Sequence, residues 1–257
     1  MKTSLKNLRN RLAGFTLVEL LVVIAIIAIL AAMLLPALGA IKVKVLKGRA
    51  KTEMTNIGNA LSTYETTYSR LPLLSPTGGE DVTFGLDPAS YPPIPSIPGR
   101  NGTRVVATNA NIIAILMDEE RFKNGNVTSN LNHTLNPQRI SMLTAKQTSE
   151  SGGPGVGMDG EYRDPWGNPY VISLDYDFDD QCQDVVYGRM SVSQISAGSQ
   201  SGHNGLFNPD KAASGNTDEF KFKGKYLIWS KGPDGKVLTN QNADKDVNRD
   251  NVLGWTQ

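Results

Sequence analysis

The chain has 257 residues, with 26 Lys and Arg against 25 Asp and Glu. This balance lacks the excess of positive charge that nucleic-acid-binding domains carry, so no nucleic-acid partner is expected. Hydrophobic residues make up 39% of the chain and charged residues 20%. These proportions exclude a fully disordered chain and a multi-span membrane protein. The single cysteine, Cys182, excludes an intrachain disulfide. No motif typical of a nucleotide, serine or zinc hydrolase occurs, and the sequence predicts no enzyme.

The chain begins with a short basic leader followed by a long apolar segment. Residues 1–14 contain four Lys and Arg residues and no acid, which favours a cytoplasmic location for this end. Five more Lys and Arg residues follow the apolar segment at 42–51, so charge counting alone leaves the orientation open. From Leu20 to Ile41 no charged or strongly polar residue occurs. As a helix this stretch would span about 33 Å, enough to cross a bilayer core. An ordinary secretory signal is cut after its apolar run, but here the small residue Gly14 precedes it. An unprocessed signal-anchor helix is the alternative interpretation.

Glu19 is an acid inside this apolar segment. An acidic side chain in a membrane costs at least a few kcal/mol, which indicates a functional role. If the chain is cut after Gly14, Phe15 gains a free amine and Glu19 becomes the fifth residue. Neighbouring helices with a small axial stagger could then pair that amine with this carboxylate and fix their register. A solvated Glu19 at the membrane interface is the alternative.

The segment Gly14–Leu21, which reads GFTLVELL after a basic leader, resembles the prepilin signal of type IV pilins and type II secretion pseudopilins. The resemblance implies that a prepilin peptidase cuts after Gly14 and methylates Phe15. It also implies that Glu19 serves assembly of a homopolymeric filament, together with other pseudopilins and an inner-membrane platform. The leader would then lie inside and the head in the periplasm. Pro36 falls where the family commonly has a proline, and its missing hydrogen bond predicts local bending or melting.

An amphipathic helix is predicted beyond the apolar segment, with a polar opposite face. Its apolar positions recur at intervals of four and three residues, which is typical of one helix face. They are Ala50, Met54, Ile57, Leu61, Tyr64 and Tyr68. We expect this stripe to pack against a globular head, with a partner groove as the lesser alternative. The predicted organisation is a leader at 1–14, a transmembrane assembly helix at 15–41, an amphipathic helix at 42–71 and a periplasmic globular head at 72–257.

The head is predicted to combine one further helix with short strands. The helix is expected over 108–122, capped by Thr108 or Asn109, and the strands over 170–174, 185–187 and 225–230. The turn DPWGNPY at 164–170 resembles a motif of the major pseudopilins of type II secretion, and Trp166 is expected to pack on the head's core. No resemblance covers 73–163 or much of 188–223, which we interpret as insertions that enlarge the head. The predicted fold class is α+β and pilin-like: a long N-terminal helix packed on a small antiparallel sheet with long loop insertions.

Two acidic stretches are candidates for cation binding. Residues 175–180 alternate between acids and aromatics, so Tyr176 and Phe178 are expected on one side of a solvated strand end, opposite three aspartates that a cation could neutralise. Near the C-terminus, Asp246, Asn248 and Asp250 place oxygen donors at alternate positions, as in the first half of a calcium loop, and Asp244 extends the series. Ordinary charge mixing with nearby Lys and Arg is the alternative.

The last loop, from Ser230 to Trp255, resembles the calcium loop of the major pseudopilins. The resemblance implies a structural calcium ion bound by the Lys231 carbonyl and by Asp234, Asp250 and Asn251. The loop is longer here than is usual, and Asn251 stands where an aspartate is common. Asp244, Asp246 and Asn248 lie in the additional residues, so spacing alone makes them candidates. The predicted function is a structural subunit of a type II secretion pseudopilus. The alternatives are a type IV pilus-like pilin for adhesion or DNA uptake, and a membrane-anchored binding or enzymatic domain.

Overall fold

The computed structural model describes residues 15–72, 79–96, 102–150, 152–212 and 215–256. Its first element is helix α1, Leu17–Tyr68. The chain divides into two compact units between Lys44 and Val45. In the first unit the apolar side chains of α1 are exposed, and by length and composition α1 is apolar enough to cross a membrane. The helix continues through position 36, so the local melting predicted at Pro36 is not observed.

The second unit contains the C-terminal part of α1 and nine short strands. In chain order the other elements are β1 (Asp81–Phe84), β2 (Thr103–Val106), α2 (Ala110–Met117), β3 (Gly155–Val156), β4 (Tyr162–Arg163), β5 (Val171–Leu174), β6 (Gln181–Cys182), α3 (Met190–Ser193), β7 (Phe222–Lys223), β8 (Tyr226–Ser230) and β9 (Val252–Leu253). Turns of 3-10 helix occupy Leu131–His133, His203–Gly205 and Asp246–Asp250. These counts refer to the residues that the structure describes.

Five of the strands form one mixed sheet in the order β2-β1-β5-β8-β9. The pair β1–β2 is parallel, and the other three pairs are antiparallel. Strands β5 and β8 lie in the middle, with Ile172 opposite Ile228 and Val171 opposite Trp229. The architecture is therefore α+β, with a long N-terminal helix followed by a small sheet, as the sequence predicted.

The two faces of this sheet support two hydrophobic cores. Side chains alternate across a strand, so neighbours in sequence enter different cores. Ile172 and Ile228 join the predicted α1 stripe and α2 in one core, while Val171 and Trp229 belong to the other. The stripe residues that are fully buried are Ala50, Met54, Ile57, Leu61 and Tyr64. This confirms that the stripe packs against the head within the second unit.

Several local predictions need correction. The predicted helix over 108–122 covers only α2, because Asp118 adopts a left-handed conformation (φ 60°) that ends it. Residues 185–187 form a turn instead of a strand, since the Asp184 carboxylate accepts hydrogen bonds from the backbone N–H groups of Val186 and Tyr187 at 2.8 and 2.9 Å. The strands predicted at 170–174 and 225–230 are confirmed as β5 and β8.

The segment interpreted as an insertion, 73–163, is part of the main fold where the structure describes it. Strand β1 lies between β2 and β5 in the sheet, and its four residues are all buried. Helix α2 contributes Ile112, Ile113 and Leu116 to the same core as the α1 stripe. The segment therefore completes the core and is not an appendage to it.

This placement predicts a large stability loss on truncating Ile113, which is buried in that core. Ile113→Ala should lower the free energy of unfolding by about 2–5 kcal/mol, because it removes apolar contacts and leaves a cavity. Val127→Ala is the matched control, since Val127 is 50% exposed and should change stability by less than about 0.5 kcal/mol. Denaturant titration of the full chain in detergent, followed by tryptophan fluorescence, measures both. Equal, small effects would contradict a core role for this segment.

Candidate functional site

The acid of the apolar segment folds back on the first turn of α1. The Glu19 carboxylate accepts hydrogen bonds from the backbone N–H and the hydroxyl of Thr16, at 2.8 and 2.7 Å. In return the Thr16 hydroxyl accepts one from the Glu19 N–H at 3.2 Å. This is a capping box, which satisfies N–H groups that the first helical turn leaves unpaired.

This capping role was not predicted from the sequence, although the spacing Thr-x-x-Glu before an apolar run is its usual signature. Phe15, immediately before the box, has a 79% exposed side chain. Gly14, the other member of the predicted cleavage site, lies outside the described residues. The structure thus places Glu19 next to the end that cleavage would create, with one carboxylate oxygen already bonded within its own chain.

A second group of predicted residues meets in the head, around the buried carboxylate of Asp164. Asp164 accepts hydrogen bonds from the backbone N–H groups of Trp166 and Asn168, both at 2.9 Å, and so closes the DPWGNPY turn. It also accepts one from the Ser230 hydroxyl, at 2.5 Å, at the start of the last loop. Burial raises the pKa of this carboxyl, and the hydrogen bonds from Ser230, Asn168 and Trp166 oppose that shift.

The two segments that carry the resemblance in the head are therefore one structural unit. The Asn168 side-chain amide donates to the Gly232 carbonyl at 3.1 Å. Gly235 has a φ of 67°, and a Cβ there would lie 2.6 Å from the Asn168 side-chain oxygen. A glycine is required at this position both for its left-handed conformation and for the close approach. The sequence resembled pseudopilins in the DPWGNPY turn and in the last loop separately, but no sequence pattern predicted that these two segments are in contact.

Of the predicted calcium residues, Asp234 and Asp250 are in contact, while Asn251 follows Asp250 in the chain and its side-chain amide donates to the Tyr187 hydroxyl at 3.0 Å. The Asp234 N–H donates a long hydrogen bond, 3.4 Å, to one oxygen of Asp250. The other oxygen of Asp250 and the side-chain oxygen of Asn251 are buried and have no hydrogen-bond partner among the described residues. Burial and the nearby charge of Asp234 raise the pKa of Asp250. Buried oxygens without donors are what a bound cation would satisfy.

The remaining predicted ligands are placed differently. Asn248 is buried, and its side-chain amide makes three hydrogen bonds to the backbone of Leu238 and Gln241, so it closes the loop. Asp244 and Asp246 are exposed, and no described contact joins them to Asp234 or Asp250. Lys231 is partly buried, which lowers the pKa of its amine, while Asp164 and Glu161 oppose that shift.

The other acidic stretch forms a separate buried cluster. Carboxylate oxygens of Asp81, Asp175 and Asp177 all lie within 4.8 Å of one another. The expected alternation fails because the strand ends at Leu174 and the Asp175 carboxylate accepts hydrogen bonds from the backbone N–H groups of Phe178 and Asp180. Tyr176 is consequently buried, whereas Phe178 is 60% exposed.

This acidic cluster is stabilised from within the protein. The Asp81 carboxylate accepts hydrogen bonds from the backbone N–H groups of Tyr176 and Gln183, at 3.1 and 2.6 Å. The Lys221 amine lies 2.8 Å from Asp179 and 3.9 Å from Asp177. Burial raises the pKa of Asp81 to about 8, aided by the charges of Asp177 and Asp175, and burial likewise raises the pKa of Asp175.

The raised pKa of Asp81 predicts a head that loses stability as the pH rises. Between about pH 4 and pH 8 the folded chain holds a proton that the unfolded chain releases, so the free energy of unfolding falls across this range. Asp81→Asn, which keeps a neutral side chain, should flatten the dependence of melting temperature on pH. Asp180→Asn is the control, because the Asp180 side chain is 77% exposed. An unchanged pH profile in Asp81→Asn would contradict the assignment.

Comparison with known protein families gives a match at the N-terminus. Residues 9–35 match the model of the prokaryotic N-terminal methylation motif. No curated protein and no solved structure matches the chain. The motif spans Gly14, Phe15, Glu19 and most of the apolar segment. Together with the long apolar helix it makes the chain type IV pilin-like, and it supports a membrane-anchored pilin or pseudopilin subunit that undergoes prepilin processing and filament assembly.

Proposed function

We propose that this protein is a structural subunit of a type II secretion pseudopilus. It is cut after Gly14, methylated on Phe15 and polymerised through its N-terminal helix. It crosses the inner membrane once, with its head in the periplasm, and works with a prepilin peptidase, an inner-membrane platform and other pseudopilins. We assign it no catalytic role.

The observation that carries the choice of a pseudopilus is the contact centred on Asp164. The DPWGNPY turn and the start of the last loop each resemble segments of the major pseudopilins, and here they share hydrogen bonds through Asp164, Ser230 and Asn168. Two resemblances far apart in sequence that meet in space are stronger support than either alone. A type IV pilus for adhesion or DNA uptake is the alternative, since it uses the same N-terminal motif.

The capping box suggests how Glu19 takes part in assembly. Its carboxylate already accepts two hydrogen bonds from Thr16, one residue after the proposed new N-terminus. A charged amine from a neighbouring Phe15 is a stronger partner than a neutral hydroxyl. In a low-dielectric bilayer this pair would also neutralise the acid, so assembly would exchange local bonds for an intersubunit one.

Processing and assembly can be tested on the same sample. Co-expression with a prepilin peptidase should yield a chain that begins at N-methyl-Phe15, measured by intact mass. Electron microscopy should show filaments for the parent chain. Glu19→Val should be cleaved and inserted but form no filaments, because the neighbouring amine loses its partner. Glu150→Val, an exposed acid of the head, is the control and should assemble normally. An unprocessed Met1 terminus, or normal filaments from Glu19→Val, would contradict the proposal.

We also propose that the last loop binds a structural calcium ion. Asp234, Asp250 and Asn251 would supply side-chain oxygens and Lys231 its carbonyl. The support is one buried oxygen each on Asp250 and Asn251 that has no hydrogen-bond partner among the described residues, and the contact of Asp234 with Asp250. Oxygen ligands of this kind favour calcium over zinc. The bound ion would balance the two carboxylates and hold the loop against the DPWGNPY turn.

The calcium proposal predicts a melting temperature that depends on the ion. A ligand that binds only the folded state stabilises it by about 2.7 kcal/mol at one hundred times its Kd. The full chain in detergent should therefore melt at a higher temperature in millimolar calcium than in chelator. Asp234→Asn combined with Asp250→Asn should abolish the shift, while Asp244→Asn combined with Asp246→Asn should retain it. A shift lost only in Asp81→Asn would instead assign the ion to the acidic cluster.

A further inference from the structure

A cleft lined by positive side chains lies in the second unit, between the beginning of its part of α1 and the last loop. The cleft has a volume of about 410 Å³. Its lining includes Lys47 and Lys51, which lie one helical turn apart on α1, together with Arg249 of the last loop and His203. Asp244 is the single acid among the described lining residues. We call this feature the basic cleft.

The Lys and Arg side chains of the basic cleft form no ion pairs with the described acidic residues. Among the described residues, no salt bridge involves Lys47, Lys51 or Arg249, whereas the neighbouring Arg49 pairs with Glu53 at 2.9 Å. The Lys51 amine donates to the Thr256 carbonyl at 3.2 Å, which leaves two of its three N–H donors unused. The charge of Lys47 acts on Asp250 without a direct contact. The cleft therefore offers several N–H donors and a net positive charge.

The position of the basic cleft in the sequence limits where it can lie in a membrane-anchored subunit. Lys47 follows the last residue of the apolar run, Ile41, by six residues. Six residues cannot span more than about 20 Å even when fully extended. The polar headgroup layer begins where the apolar run ends. A cation six residues from that boundary is within reach of lipid phosphates, and Lys42 and Lys44 lie between.

We propose that the basic cleft binds the phosphate of an anionic phospholipid headgroup and so attaches the last loop to the membrane surface. This inference rests on the proposed membrane anchoring of the subunit. Arg249 and Lys51 would donate hydrogen bonds to the phosphate oxygens, and Lys47 would supply charge. The volume suits a single headgroup, and three cations in one cleft form no extended stripe of the kind that follows a nucleic-acid backbone.

The test measures backbone hydrogen exchange over residues 243–256 in the full chain reconstituted into nanodiscs. Discs of neutral phosphatidylcholine are compared with discs containing about one third phosphatidylglycerol, always in chelator, so that calcium cannot bridge carboxylates to lipid. Exchange in 243–256 should be several-fold slower in the anionic discs, and high salt should reduce the difference because it screens the charges.

The variants decide whether the basic cleft is responsible. The triple change Lys47→Gln, Lys51→Gln and Arg249→Gln should remove the protection. The triple change Lys123→Gln, Lys146→Gln and Lys211→Gln removes the same charge from exposed sites elsewhere and should leave it intact. Equal loss in both variants would indicate a nonspecific charge effect and overturn the proposal.

Two further outcomes separate this proposal from its premise. Normal incorporation into discs without any lipid-dependent protection overturns the basic cleft as a lipid site but leaves the membrane anchor standing. Failure to incorporate, seen as a chain that does not co-elute with discs, overturns the anchor and this proposal with it. Protection produced in neutral discs by millimolar inorganic phosphate alone assigns the cleft to a free anion and overturns the lipid assignment.

Discussion

The fold of the head depends on the hydrogen bonds made by one buried carboxylate, that of Asp184. It accepts hydrogen bonds from the Ser173 hydroxyl on β5 at 2.7 Å and from the Trp229 indole on β8 at 3.0 Å. Ser173 in turn is bonded to the Thr83 hydroxyl on β1, so three adjacent strands are joined through one anion. The same carboxylate turns the chain at 185–187 toward the second core. A buried acid is tolerated only when every lone pair is used, and here four donors surround it.

The sequence predicted those parts of the fold that depend on local patterns. The stripe of α1, the strands β5 and β8 and the packing of Trp166 follow from periodicity and turn chemistry, which act over a few residues. The turn at 185–187 could not be predicted from periodicity or turn chemistry. Val185, Val186 and Tyr187 have strand-like side chains, and the acid that overrides this preference precedes them without any periodic signature. The early end of α2 at Asp118 was also not predicted, because the left-handed conformation of this residue has no periodic signature in the sequence.

The candidate sites show the same difference: local sequence patterns predicted some of their features, and contacts between distant residues could not be predicted. Glu19 and Phe15 were predicted as site residues because an acid in an apolar run is conspicuous, whereas the hydrogen bonds from Thr16 were not predicted although the Thr-x-x-Glu spacing indicates them. In the last loop, spacing grouped Asp244, Asp246, Asn248 and Asp250, but the three-dimensional arrangement groups Asp250 with Asp234 instead. The intervening residues bend back through Asn248, which uses its amide to close the loop. Alternate spacing cannot distinguish an oxygen that faces a cation from one that holds the backbone.

The capping box at the start of α1 also affects the stability of single subunits in the membrane before they assemble. An acid with unsatisfied oxygens would drive helices together at random, since any donor in the bilayer would lower its energy. Because Thr16 already donates two hydrogen bonds to one oxygen of the Glu19 carboxylate, a single inserted helix gains less from such an encounter. If the chain assembles as proposed, a single subunit is therefore more stable in the bilayer than a helix with an uncapped acid, and a subunit that leaves a filament can form the same two bonds again.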